Sequence, residues 1–303
     1  MSALTGLIKP CYVFAPRTMV RRIALSVLPS QRSVTTVRLP WGAVMEVNPN
    51  EGIGRELMHQ NIFDIAVSET AWRLLRPGDV AVDVGANIGY MTSLFAARVG
   101  ASGRVEAFEP HPRIFARLRH NARSLVRAGA VADVRLHDTA LGSRNGAAQL
   151  IEPPIFGINE GASTVALGPV EPGPGDENRF EVSVARFDSL FPHERIALLK
   201  VDVEGFEAEV FAGAERALTR QRIQTVIYEA HDCERSGLHS LLSAHGYSLF
   251  GIGHDLFGPK LTPGSTAPSV DRAWESPSYL ATLDPTGVQR ALRPRGWRVL
   301  RAS

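Results

Sequence analysis

The sequence predicts an α/β protein built on one mostly parallel sheet with helices on both faces. Three observations predict it. From Val80 onward, short apolar segments alternate with segments whose apolar residues recur at helical spacing, the pattern of parallel strands joined by crossover helices. One such segment, Ile196–Val201, is apolar almost throughout, as a strand covered on both faces is. Gly85 and Gly89 fall where the first of these strands must turn into its helix. Ligands of such sheets sit beyond the carboxyl ends of the strands, so the residues that follow each strand are the candidates for function.

Each element has its own signal. Within a leader of residues 1–40, Thr18–Leu28 places Met19, Val20, Ile23, Ala24 and Val27 on one helical face, and Pro29 stops it. Val34–Leu39 and Ala43–Val47 read as a hairpin, and 64–76 as a helix ended by Pro77-Gly78. Val80–Val84 is the first strand and Ile88–Val99 its helix. Arg104–Phe108 follows as strand two, with a helix at 112–127 whose stripe is Ile114, Phe115, Leu118, Ala122, Leu125 and Val126. Asp133–His137 is strand three and Ile196–Val201 strand four. Phe206–Leu218 is the next helix, Ile223–Tyr228 strand five, and a helix follows near 234–245. Tyr247–Ile252 and Tyr279–Leu283 supply two more strands, making seven. Residues 143–180, with five prolines and six glycines, break the alternation and read as a lid loop carrying Phe156, Gly161, Ser163 and Thr164. Residues 257–278 are similarly irregular. The domain is expected over 41–283, with a basic tail at 284–303.

Composition narrows the classes. With 303 residues, 44% hydrophobic and 21% charged, the chain is neither collagen-like nor low-complexity. Cys11 and Cys233 alone make neither a disulfide framework nor a four-ligand zinc site. No apolar run approaches the ~20 residues that span a bilayer, so a soluble, cytoplasmic protein is the expectation. The net charge of +2 hides a lopsided layout. Residues 1–45 hold six basic residues and no acid, and 284–303 hold five arginines against Asp284, leaving 22 basic and 30 acidic residues between them. Solvated termini are the plain reading of those ends. Peripheral contact with an anionic membrane face or polyanion is the sharper one, and an acid-free, Arg-containing start also fits a transit peptide.

The turn Asp83-Val84-Gly85-Ala86-Asn87-Ile88-Gly89 spaces its glycines as G-x-N-x-G and not as the dinucleotide G-x-G-x-x-G. An acid ending the strand repels a pyrophosphate and attracts a sulfonium or ammonium, while the helix N-terminus suits a carboxylate. Glu109, after strand two, is placed to accept from ribose hydroxyls, with Phe108 and Pro110 beside it. Asp138, after strand three, could accept from an adenine amino group or be a surface turn acid. A nicotinamide-dependent oxidoreductase is the alternative that shares the ribose acid.

The runs VDVGANIGYMTSLFA, AFEPHP, HDTALG and LLKVDVEGFEAEVFAGAERAL resemble the FkbM family of S-adenosylmethionine-dependent methyltransferases across roughly 41–283. That resemblance implies the class I methyltransferase fold, a Rossmann-like seven-stranded sheet with one antiparallel strand, and O-methylation of a hydroxyl on a sugar, glycan or natural product. By it, Asp83, Gly85, Asn87, Gly89 and Glu109 are cofactor residues.

Strand four ends in Lys200-Val201-Asp202-Val203-Glu204-Gly205, whose alternation turns Lys200, Asp202 and Glu204 the same way. Strand five ends in Glu229-Ala230-His231. Methyl transfer to an alcohol benefits from a general base, and His231, titrating near neutrality, is the first candidate, with Asp202 second and Glu229 to orient the imidazole. The alternative for Lys200–Asp202 is a buried ion pair that holds the strand end. Asp202, Glu229 and His231 could also hold magnesium, although no motif spacing establishes a metal. Nucleic-acid amino methylases of related fold carry an Asn/Asp-Pro-Pro-aromatic turn here. The acids of this chain would repel phosphates, so nucleic acid is not the expected substrate.

Overall fold

The computed structural model describes residues 10–14, 34–127, 132–153, 163–168, 178–230, 237–264 and 277–302. In chain order the elements are α1 (Pro10–Phe14), β1 (Thr35–Arg38), β2 (Val44–Val47), α2 (Gly52–Gln60), α3 (Ile65–Leu74), β3 (Val80–Val84), α4 (Tyr90–Val99), β4 (Arg104–Phe108), α5 (Pro112–Arg127) and β5 (Asp133–His137). Then come β6 (Thr139–Leu141), β7 (Gly146–Ile151), β8 (Thr164–Ala166), β9 (Arg179–Ala185), α6 (Phe187–Leu190), β10 (Ile196–Val201), α7 (Glu207–Gly213), α8 (Glu215–Thr219) and β11 (Ile223–Glu229). The last are α9 (Leu238–Ala244), β12 (Ser248–Asp255), β13 (Gly258–Pro263), β14 (Ser278–Thr282) and α10 (Pro285–Leu292). The expected helix Thr18–Leu28 lies outside the described residues.

The main sheet runs β5-β4-β3-β10-β11-β14-β12-β13. β3, β4, β5, β10 and β11 pair in parallel, and β14 lies antiparallel between β11 and β12. All seven expected strands are present. The eighth, β13, comes from the stretch that reads as irregular, because Pro259 and Pro263 disguise it. β13 pairs only with β12, at the sheet's edge, where a proline's missing N–H costs no ladder bond.

A second sheet, β6-β9-β7-β8, is inserted between the third and fourth strands of the main sheet. Its strands β7, β8 and β9 fall within or across the ends of the stretch expected to be a lid loop. Residues 154–162 and 169–177 of that stretch, with Phe156 and Gly161, lie outside the described residues.

The core forms on both faces of the main sheet. One side gathers Leu94, Phe95, Val105 and Ile114 with Val37, Met45 and Val47 of the hairpin. The other gathers Phe187, Phe211, Tyr228 and Leu242 with Leu150 and Val184 of the inserted sheet. Buried Asn121 of α5 stitches the hairpin down: its Oδ1 accepts from Glu46 N at 2.9 Å, and its Nδ2 donates to Ile88 O at 2.9 Å and Glu46 O at 3.2 Å.

Residues 284–302, set apart in the sequence as a basic tail, pack on α3. Glu69 and Arg73 of α3 form a fully buried ion pair at 2.5 Å. Arg73 also donates to the carbonyls of Leu292, Pro294 and Gly296, and Glu69 accepts from Arg298 N at 2.9 Å and Val299 N at 2.7 Å. Trp297 is buried, its Nε1 donating to Leu256 O at 2.9 Å. The backbone partners satisfy the lone pairs and protons that burying an ion pair would otherwise strand.

Candidate active site

The turn after β3 is shaped by backbone that only a few residues tolerate. Gly85 has φ +77°, Asn87 φ +49° and Gly89 φ +93°. Gly85 is required twice over, because a Cβ there would land on the carbonyl oxygen of Asp202. Asp202 N in turn donates to Val84 O at 3.1 Å, so the ends of β3 and β10 press directly on each other. Gly85 N and Ala86 N both donate to Phe108 O, which ties the turn to the end of β4 as well.

Glu109, just past β4, is buried beside this turn. Its Oε2 accepts from Asn87 N at 3.0 Å and its Oε1 from His111 N at 2.9 Å. Burial pushes its pKa up to about 7, against the two backbone donors and Lys200, which favour the charged form. Each oxygen keeps a further lone pair, so the carboxylate is oriented but not saturated.

Asp83 differs from its sequence expectation of facing whatever the turn cradles. It is fully buried at the floor of the turn, where Thr92 Oγ1 donates to Oδ2 at 2.6 Å. Its Oδ1 has no hydrogen bond and lies 3.7 Å from Lys200 Nζ. Burial raises its pKa, opposed by Lys200 and Thr92. The acid at the strand end is therefore shared between the first turn of α4 and an internal cation.

Lys200 is the hub. It is buried at the end of β10, with Nζ 3.0 Å from Asp202 Oδ2. Burial alone would drive this ammonium down, but Asp202 and Asp83 outweigh it and hold its pKa above the ordinary lysine value. Asp202 remains about a third exposed, its side chain 29% accessible. The alternation expected to carry Glu204 alongside it breaks, because Glu204 (φ +50°) and Gly205 (φ +96°) turn the chain over. Glu207 holds that turn by accepting from Val203 N and Gly205 N, both at 3.2 Å.

Glu229 ends β11, the parallel neighbour of β10. Its pKa is pushed well above the usual carboxylate range by burial, then by Asp202, Asp64 and Glu204, with Lys200 pulling the other way. Asp64 is the residue that sequence reasoning missed. It caps α3, accepting from Val67 N at 3.0 Å, and sits at φ +35°. Burial raises its pKa to about 6, with His254 lowering and Glu56 and Asp202 raising it. The hydroxyl of Tyr90, first residue of α4, accepts from Phe63 N at 3.1 Å and so pins this cap beside the cofactor turn. The legible signal was an Asp just ahead of a helical apolar pattern, which marks a cap and says nothing of a cleft.

The structure thus brings together Asp83, Gly85, Asn87, Gly89, Glu109, Lys200, Asp202 and Glu229. It leaves Asp138 exposed in the link between β5 and β6. His231 lies outside the described residues. Among the described residues no three His, Cys, Asp or Glu side chains are grouped to hold a metal ion. No described helix is long and apolar enough to cross a membrane.

The Glu109 carboxylate, oriented but unsaturated, and the positive-φ turn beside it fit a ribose-bearing group, while Asp83 beneath them is already held by Thr92 and Lys200. Fold and site therefore define an α/β protein whose β3–β4 end carries a glycine turn and an oriented carboxylate, with further acids beside them. Comparison with known proteins makes that class specific. The family described as "Methyltransferase FkbM domain" matches residues 83–249. The chain is 36% identical over 248 residues to the 31-O-demethyl-FK506 methyltransferase FkbM of Streptomyces tacrolimicus, covering 74% of this chain and 93% of that one. It is 27% identical over 161 residues to the 2-O-methyltransferase NoeI of Sinorhizobium fredii, covering 49% of this chain and 63% of that one. Among solved structures, Methyltransferase FkbM from Methylobacillus flagellatus superposes with a TM-score of 0.45 at 16% identity, over 72% of this chain and 55% of that chain. The chain belongs to the FkbM methyltransferase family. That membership gives no support to the nicotinamide oxidoreductase that the glycine turn alone left open.

Proposed function

We propose that the chain is an S-adenosylmethionine-dependent O-methyltransferase acting on a hydroxyl of a small molecule or glycan. The observation that carries this reading is the Lys200–Asp202–Glu229 group at the carboxyl ends of adjacent strands, pressed against the β3 turn. When bound, S-adenosylmethionine supplies an electrophilic methyl group on a positively charged sulfur. Glu109 accepts from the ribose hydroxyls with the lone pairs that Asn87 N and His111 N leave free. Gly85, Asn87 and Gly89 shape the turn that cradles the cofactor, and buried Asp83 contributes negative potential beneath it.

The acceptor hydroxyl must lose a proton as the oxygen–carbon bond forms. Glu229 takes that proton in this reading, because burial and the neighbouring acids raise its basicity. His231, two residues on, competes for the role and can relay the proton outward. Lys200 neutralises Asp202, so Asp202 can bind a hydroxyl of the acceptor without adding a free negative charge to the cleft.

Transfer of a labelled methyl group from S-adenosylmethionine to a panel of glycans and polyketide alcohols tests the reading. Glu229→Gln should lower kcat by about 10²- to 10⁴-fold with cofactor affinity nearly unchanged. If cofactor affinity falls as far as turnover, Glu229 only maintains the site. If His231→Ala alone abolishes turnover, the proton goes to His231.

A further inference from the structure

The carboxyl edge of the sheet does not end at the acids. Beyond β11 the edge continues through β14 to β12 and β13, and the tip of the β12–β13 hairpin, Asp255–Gly258, projects past the level of Glu229. Between this hairpin and α10 lies a groove of about 600 Å³. Phe257, 50% exposed, stands on one wall. Arg290, Arg293, Arg295 and Lys260 line it, against one acid, Asp255. Asp255 is taken by Lys260 at 3.1 Å, and the Arg295 guanidinium lies 5.6 Å from the Phe257 ring centroid. Among the described residues no carboxylate pairs with Arg290, Arg293 or Arg295.

Part of this is ordinary helix chemistry. Arg290 stands in the last turn of α10 and Arg293 is its C-cap, where cations complement the helix dipole. That accounts for neither Arg295 nor Lys260, which come from other elements, nor for an exposed phenyl ring at the centre of the group. A flat charged face would suit a membrane surface. A groove of this size lined by several planar donors suits one organic anion instead.

We propose that this groove binds the phosphate or sulfate group of the methyl acceptor, holding a hydroxylated organic anion with its neutral end toward Glu229. The proposal rests on the methyltransferase reading. β13, which forms one wall of the groove, lies three strand spacings from β11, roughly 15 Å at ~4.8 Å each. Charge divides accordingly: Lys200 is already taken by Asp202 and Asp83 at the β10 end, and the unpaired arginines of the groove are what an anionic group can meet.

Calorimetry on the full chain tests this without turnover, using glucose 6-phosphate, glucose 6-sulfate, glucose and inorganic phosphate as probes. Both glucose esters should bind, and glucose should not. Binding should weaken at least tenfold in Arg290→Glu/Arg293→Glu and in 0.5 M salt, while S-adenosylhomocysteine binds the variant as it binds the native chain. Three results overturn the proposal: neither ester binds, the variant binds them equally well, or inorganic phosphate binds as tightly as the esters. Binding of vesicles rich in anionic lipid, with no ester binding, also overturns it and makes the patch a membrane contact. If the esters bind and S-adenosylhomocysteine does not, the groove stands and the methyltransferase reading falls.

Discussion

Glu109 shows how much one carboxylate can report. Its folded pKa of about 7 stands above the ordinary 4.5, so the folded state holds a proton that the unfolded state has released. The stability this gives is fully present below about 4.5 and is lost as pH rises through 7. A ligand whose hydroxyls donate to Glu109 prefers the ionised form, so its affinity should run the opposite way. S-adenosylhomocysteine should bind up to about tenfold more weakly at pH 6 than at pH 8, the factor that one pKa unit confers. Glu109→Gln should remove that dependence, weaken binding at pH 8 and raise the ligand-free Tm there. A flat wild-type profile in calorimetry between pH 6 and 8 would falsify the ribose role. At this scale the sequence was informative about placement, since Glu109, Asp202 and Glu229 stand at or just past the carboxyl ends of their strands. The burial of Asp83 was not legible, because its partners Thr92 and Lys200 come from the next helix and from a strand far along the chain that meet it only in the fold.

Elements were legible where periodicity is strong and obscured where edges or insertions relax it. Seven strands of the main sheet could be read in order because most are short apolar runs and helical-period segments separate many of them. β13 could not, since an edge strand tolerates prolines, and neither could the inserted sheet, whose short strands adjoin Pro- and Gly-rich segments. The inserted sheet still reaches the segment after β4 that carries Glu109: Glu152, just past β7, is bonded to His111 Nε2 at 2.7 Å and to Arg113, at the entrance of α5. The hairpin β1–β2 depends on Asn121 in a comparable way. Asn121→Ala removes the three backbone hydrogen bonds of one buried amide, to Glu46 N, Glu46 O and Ile88 O. The expected cost is about 1–3 kcal/mol in urea unfolding. A loss below about 0.5 kcal/mol would mean that water replaces the amide.

On the scale of the whole molecule, the C-terminal residues are structural. Glu69 and Arg73 are buried with their charges met by one another and by backbone from residues 292–299. Arg73→Leu strands the Glu69 carboxylate, so stability should fall by about 3–5 kcal/mol, read as a lowered urea midpoint. The double replacement Glu69→Leu/Arg73→Leu should recover much of that loss, because no unpaired charge then remains. Failure of the double variant to recover would place the energy in the backbone contacts. Composition revealed the basic character of this segment, but the acid that anchors it lies 229 residues away from Arg298 in sequence, beyond any local pattern.

The single backbone contact between Gly85 and Asp202 has a consequence for how this enzyme can change. With the carbonyl of one loop filling the space where a side chain of the other would grow, neither loop can be remodelled alone. An insertion near residue 202 would also displace the turn after β3. New substrate preferences should therefore be easier to obtain by altering the rim, at the inserted sheet and the β12–β13 tip, than by redesign at this junction.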